Sequence, residues 1–352
     1  MKKTLFIMAA VAAMACSCDK NADCIPCQEN QENQEMATLN VSLNFDDEPA
    51  TRAAYTTAQD YEKAVNDVQI LVFDSAGKIN IYKDAGTSTS NISISTTAGT
   101  KTVWAVVNGP DLSSIATLSA LQAKTVDLAD NSVTKTDGFV MTGSASCTLT
   151  ASGATAAVTV SRLVSRVALR TVTNSLAAGY GALKIDHVTL ANVVGNQNLA
   201  GSAAIATWYN KMGRKDGGAQ ADIIDGSTNK ASCPTLTFAA PAASVNNGAS
   251  HTPSTPYLFY CYPNSTSTDA TGWASTFTAR KTRLVVAATI SGTKYYYPVV
   301  ISTPERNKAY TVDLTITGLG STDPDEPVSK GSITASVTVK DWVGGTEYSE
   351  VI

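Results

Sequence analysis

Two runs of strict alternation, one near each end of the chain, constrain its fold more than any other feature. In Ala37-Thr38-Leu39-Asn40-Val41-Ser42-Leu43-Asn44-Phe45, the apolar residues Leu39, Val41, Leu43 and Phe45 occupy every second position. In Ser332-Ile333-Thr334-Ala335-Ser336-Val337-Thr338-Val339-Lys340, residues Ile333, Ala335, Val337 and Val339 repeat the layout. Successive side chains of an extended strand point to opposite faces, so this period predicts half-buried strands. The chain between them reads the same way. Strands are expected at residues 68–73 (with a hairpin return at 79–82), 100–107, 139–143, 147–149, 156–160 and 163–172. Others follow at 183–192, 235–238, 257–262, 283–290, 294–301 and 309–316. One short helix is expected between Leu112 and Lys124, where Leu112, Ile115, Leu118 and Leu121 recur at helical spacing. Stretches 195–234 and 241–256 are polar, rich in Gly, Ser and Asn, and read as surface loops. The economical architecture is all-β, two β-sandwiches in tandem.

Composition narrows the function classes. Charged residues make up only 16% of the chain and the net charge is -4, which gives no electrostatic footprint for nucleic acid. There are two histidines, His187 and His251, and neither has partners at the spacing of a zinc site or a Cys-His nucleophile. His187 lies in the alternating Ile185-Asp186-His187-Val188-Thr189 and reads as a polar-face residue. No phosphate-binding Gly loop, nucleophile elbow or paired catalytic carboxylates stand out, so no enzyme and no cofactor are expected. Asp46-Asp47-Glu48 lacks the spacing and central Gly of a calcium loop and reads as a solvated charge run. Tyr295-Tyr296-Tyr297 offers a sugar-stacking surface on one reading; on the other, an alternating strand buries the middle ring.

The start of the chain is an export signal. Lys2 and Lys3 precede an apolar run from Leu5 to Ala15, followed by Cys16-Ser17-Cys18-Asp19. A cysteine directly after small residues adds a lipoprotein reading, with acylation at Cys18 or, alternatively, at Cys16; an ordinary signal peptide cut nearby fits the same residues. Residues 19–36 are polar and read as a spacer. Cys24-Ile25-Pro26-Cys27 has redox-motif spacing but no βαβ frame, so a local disulfide is the plainer reading. A Cys233–Cys261 bridge is open, with Cys147 left over. After the first alternating strand, Pro49-Ala50-Thr51-Arg52-Ala53-Ala54 looks exposed and extended, and Arg52 suits a protease with an acidic specificity pocket.

The two end strands suggest an exchange. If the first were removed, an unpaired groove would remain for a substitute strand. Burying three or four such side chains yields on the order of 5–10 kcal/mol before ordering costs.

Several segments, in their order, carry a resemblance: Cys18-Asp19-Lys20; Thr51-Arg52-Ala53-Ala54; the strand at 68–73; Val103-Trp104-Ala105-Val106-Val107-Asn108-Gly109; and Phe139-Val140-Met141-Thr142-Gly143. Val160-Ser161-Arg162-Leu163-Val164-Ser165-Arg166-Val167 and Val337-Thr338-Val339-Lys340-Asp341-Trp342 complete it. Together they resemble the fimbrillin family, the structural subunits of type V pili of Gram-negative anaerobes.

The resemblance implies two transthyretin-like (Ig-like, Greek-key) sandwiches and a lipid-anchored precursor at the outer membrane. It implies cleavage between Arg52 and Ala53 by an Arg-specific protease, release of a strand at about 37–46, and a C-terminal strand that fills a neighbour's groove. That donor, at about 332–350, would carry Ile333, Ala335, Val337, Val339 and Trp342. The corresponding organisation is a leader at 1–18, a tether and removable strand at 19–52, sandwiches at 53–176 and 177–328, and the donor at 329–352. Its partners would be copies of itself, other fimbrial subunits and a host or bacterial surface ligand. Two other readings stay open: an accessory or tip adhesin of the same pilus, and a monomeric glycan-binding surface lipoprotein using Trp208, Tyr209, Trp273 or Tyr295 to Tyr297.

Overall fold

A computed structural model describes residues 35–46, 60–131, 138–202, 205–213, 237–255, 257–270, 272, 274, 276–326, 328, 332–341 and 348–351. In chain order, the first sandwich contains β1 (Met36–Phe45), α1 (Asp60–Lys63), β2 (Val68–Phe73), β3 (Ile79–Asp84), β4 (Ile92–Thr97) and β5 (Gly99–Val107). It continues with α2 (Leu118–Ala123), β6 (Thr125–Asp127), β7 (Met141–Leu149) and β8 (Ala154–Arg162). The order β3-β2-β5-β7-β8-β1-β4 forms one seven-stranded sheet. β7 and β8 share ladder pairs only at Met141↔Arg162 and Thr142↔Ser161, and there the sheet folds over. The two halves then close on an apolar core of Leu39, Val41, Ile70, Val72, Ile94, Val103 and Val158. Gly143 permits the fold-over, because a Cβ there would stand 2.0 Å from the Thr159 carbonyl oxygen.

The second part comprises β9 (Ser165–Asn174), β10 (Leu183–Ala191), β11 (Val193–Val194), β12 (Asn196–Asn198), β13 (Trp208–Tyr209), β14 (Thr237–Val245) and β15 (Ser250–His251). It ends with β16 (Tyr257–Cys261), β17 (Arg283–Ile290), β18 (Thr293–Val300), β19 (Lys308–Ile316), β20 (Ile333–Asp341) and β21 (Tyr348–Val351). One sheet runs β15-β9-β19-β20-β21, with β16 also on β9; the facing sheet is β14-β10-β17-β18. Each sandwich pairs its first strand in parallel with a late one, β1 with β8 and β9 with β19.

The pairing corrects several expectations. β9 belongs with β16 and β19 in the second sandwich, so the strand pairing changes sandwich between Arg162 and Ser165 instead of near residue 176. Its residues from Ser165 to Leu169 are buried on both faces, Arg166 and Val167 among them, which periodicity alone cannot allot to one partner sheet. The helix is shorter than its apolar spacing, spanning Leu118–Ala123, with Thr117 Oγ1 capping Ala120 N at 3.2 Å. The loop stretches contain short strands (β12, β13 and β15) and the longer β14. β2 does not alternate because both its faces are covered. Val68, Ile70 and Val72 enter the first core, while Leu71 and Phe73 join Trp104 and Val106 in the larger core shared with the second sandwich.

Candidate functional site

β1 is an interior strand. It pairs antiparallel with β4, from Met36↔Thr97 to Val41↔Ile92, and parallel with β8, from Leu39↔Ala154 to Phe45↔Val160. β4 stands last in the sheet order, next to β1. Leu39 and Val41 are 0% exposed, and Leu43 and Ala37 are buried beside them. Phe45 is only half-buried. The expected four-site face is therefore shifted by one position: Ala37 supplies the fourth buried site and Phe45 stands at the rim, where the chain leaves the sheet. Without β1, the facing edges of β4 and β8 lose their ladder partners and the core loses four side chains.

The last strands stand differently. β20 runs antiparallel to β19, from Ile316↔Ile333 to Lys308↔Asp341, and β21 folds back on it from Ser336↔Val351 to Val339↔Tyr348. Ile333, Ala335 and Val337 are buried and Val339 is half-buried, so the alternating face packs against its own subunit here. Among the described residues, β20 and β21 form the end of their sheet, and nothing in the sheet order lies beyond them. The interior place of β1 and the terminal place of β20 are not visible in two matched alternations.

Where β1 ends, a chain of polar contacts enters the junction between the sandwiches. Asn307 Nδ2 donates to Asp46 Oδ2 at 3.0 Å, and Asn307 Oδ1 accepts from Arg162 Nη1 at 3.2 Å. Arg162 Nε donates to the Glu62 carbonyl at 2.9 Å. The Glu62 carboxylate is fully buried, paired with Arg166 at 3.1 Å and accepting from Tyr260 Oη at 2.6 Å. Burial above all, then the neighbouring Glu62 carboxylate, hold the Tyr260 phenol far above its ordinary range. Tyr61 and Tyr260 share a 2.8 Å hydrogen bond, and the Phe139 ring lies tilted against the Tyr260 ring with centroids 4.6 Å apart. Sequence reading passed over this cluster. Its signal was Arg162 and Arg166 inside an otherwise apolar run, since a buried guanidinium requires a buried acceptor.

Arg52, Ala53, Cys16, Cys18, Trp342, Trp273, Cys24, Cys27 and Cys233 lie outside the described residues. Cys261 is a free buried thiol, pushed up to about 12 by its burial, with Ser165 Oγ 3.1 Å away. Cys147 is also free and half-buried. The Tyr295–Tyr297 run does not alternate as expected: Tyr296 and Tyr297 are both buried, on two different cores, so no stacking platform exists there. His187 is likewise buried, 6% exposed near the Tyr296 ring, and not on a polar face.

An interior first strand, a terminal last strand and two joined sandwiches define the fold. Residues 37–199, a little under half of the chain, match the family model described as Major fimbrial subunit protein (FimA). Among solved structures, a putative cell adhesion protein from Bacteroides eggerthii is 21% identical, with a TM-score of 0.59 over 89% of this chain and 98% of that one. A fimbrilin (fimA) from Porphyromonas gingivalis is 14% identical, with a TM-score of 0.58 over 88% of this chain and 98% of that one. The tip fimbrial protein Mfa3 from the same organism, with a C-terminal truncation, is 14% identical, with a TM-score of 0.50 over 86% and 99%. No curated protein matches the chain. At these identities the solved structures speak for the fold: all-β, in two β domains.

Proposed function

We propose that this chain is a pilin of the fimbrial shaft that polymerises head to tail by strand exchange. In this reading a lipidated precursor, acylated at Cys18 or Cys16, reaches the outer membrane. An Arg-specific protease then cuts between Arg52 and Ala53, β1 departs, and the C-terminal strand of a neighbour occupies the vacated groove. The observation that carries the reading is the asymmetry of the two strands. β1 lies between two ladders over four buried side chains, so its loss opens a deep, shaped groove. β20 and β21 stand at the end of their sheet and can leave without splitting it. A contact in which one end of each copy enters the other end of the next is heterologous and open-ended, which makes filaments instead of closed rings. The match to the fimbrial subunit model supports assembly with other fimbrial subunits at the cell surface.

The likeness to Mfa3, described as a tip protein, keeps an accessory place in the same pilus as the second reading. Arg52→Ala tests the processing step. Precursor should accumulate at the membrane and filaments should be absent; normal filaments from this variant would remove cleavage from the account.

A further inference from the structure

The segment joining β19 to β20 makes a detour into the body of the second sandwich. Its ends lie together, because the Thr317 and Gly318 backbone N–H groups both donate to the Ser332 carbonyl at 2.9 Å. Between those ends, Ser321 exchanges two backbone hydrogen bonds with Tyr296 of β18, at 2.8 and 3.2 Å. Asp325 is then drawn fully inside, at 0% exposure. Its Oδ2 accepts from Arg280 Nη1 at 2.6 Å, and its Oδ1 and backbone carbonyl accept from Arg283 Nη1 at 2.9 and 2.8 Å. Asp269 holds Arg283 from the other side at 2.6 Å. The Arg280 guanidinium fits against Gly213 so closely that a Cβ there would stand 2.2 Å from Nη1.

A buried carboxylate shared by two buried arginines is a poor device for stability alone, since apolar side chains of the same volume do as well. What it provides is a fixed point in the chain. That point lies eight residues before Ile333, where β20 begins, whereas the end of β19 at Ile316 lies seventeen before it. At 3.3–3.6 Å per extended residue, an arm rooted at Asp325 reaches roughly 26–29 Å, against roughly 56–61 Å from Ile316.

We propose that Asp325, clamped by Arg280 and Arg283, is the root of the C-terminal arm and stays in place when β20 and β21 leave for a second copy of this chain. The clamp halves the slack of the tether, and so sets the length and direction of the joint between neighbouring subunits. A shorter tether of matched span also raises the effective concentration of the donor at its groove. Asp325 is a positioning residue, and the inference rests on the strand-exchange reading above.

The test uses nitroxide pairs at exposed positions, with Cys24, Cys27, Cys147 and Cys233 changed to Ser and Cys16 and Cys18 kept for acylation. One pair joins Thr293→Cys with Thr322→Cys, the other Thr293→Cys with Thr334→Cys. Intramolecular distances are measured in the precursor and in filaments grown after trimming, with labelled subunits diluted among unlabelled ones. The 322–293 distance is expected to stay the same in both states, while the 334–293 distance shifts by more than 10 Å. Movement of both pairs overturns the clamp and leaves strand exchange standing. Movement of neither, or no filaments at all, removes the exchange reading and the clamp with it. Asp325→Asn adds a second readout, because filaments of this variant should show at least a twofold shorter persistence length. Unchanged stiffness in well-formed filaments would count against the positioning role. Should this variant fail to fold, the distances in the unsubstituted clamp still decide.

Discussion

Leu39 is the side chain at which the account is most exposed to test. It is 0% accessible in the core beneath β1. Leu39→Ala should destabilise the precursor by about 2–5 kcal/mol, through lost transfer energy and the cavity left behind. The same substitution should leave trimmed, assembled subunits unchanged, because the residue has gone with its strand. Denaturant midpoints of precursor and filament make the comparison; an equal loss in both would mean that β1 remains in place. A second residue concerns chemistry. With its thiol pushed up to about 12 by burial, Cys261 holds on the order of one part in ten thousand thiolate at pH 8. It should resist alkylation in the native subunit and react at once after unfolding, as followed by mass spectrometry. Rapid native labelling would contradict its burial. The Glu62–Arg166 pair shows what single residues hide from sequence reading. Each charge was visible, but the partner lies 104 positions away and only the crossing of two sandwiches brings them together.

At the scale of elements, strand existence was legible because half-buried strands alternate, as β1, β4 and β20 do. β1 was foreseen at 37–45 and runs Met36–Phe45; β20 was foreseen at 332–340 and runs Ile333–Asp341. Strands covered on both faces, such as β2, β9 and β18, carry no such period, and for these the sequence fails to say which sheet they join. That is why β9 was assigned to the wrong sandwich and why Tyr296 and Tyr297 are both interior. Short strands such as β12 and β15 follow from pairing with distant partners, β6 and β9, and have no local signal. The terminal position of β20 and β21 carries its own prediction. Deleting residues 332–352 should permit folding and cleavage, lower stability by on the order of 5 kcal/mol through exposure of the β19 flank, and leave trimmed subunits unable to polymerise. Polymers from the deleted chain, seen by electron microscopy, would end the donor role of this strand.

At the scale of the whole molecule, the sandwiches are not beads on a linker. Leu71, Phe73, Trp104 and Val106 on the outer face of the first belong to the same apolar cluster as the core of the second. The Asp46–Asn307–Arg162–Glu62 contacts reach from the end of β1 into that junction. A unit joined in this way can lose an interior strand of one sandwich and lend a terminal strand of the other while its middle stays intact. The central claim is that the assembled subunit has discarded β1. N-terminal sequencing of subunits taken from surface filaments tests it most directly. The account predicts chains that begin at Ala53; filament subunits that begin at or near Cys18, with residues 36–45 still attached, would contradict it.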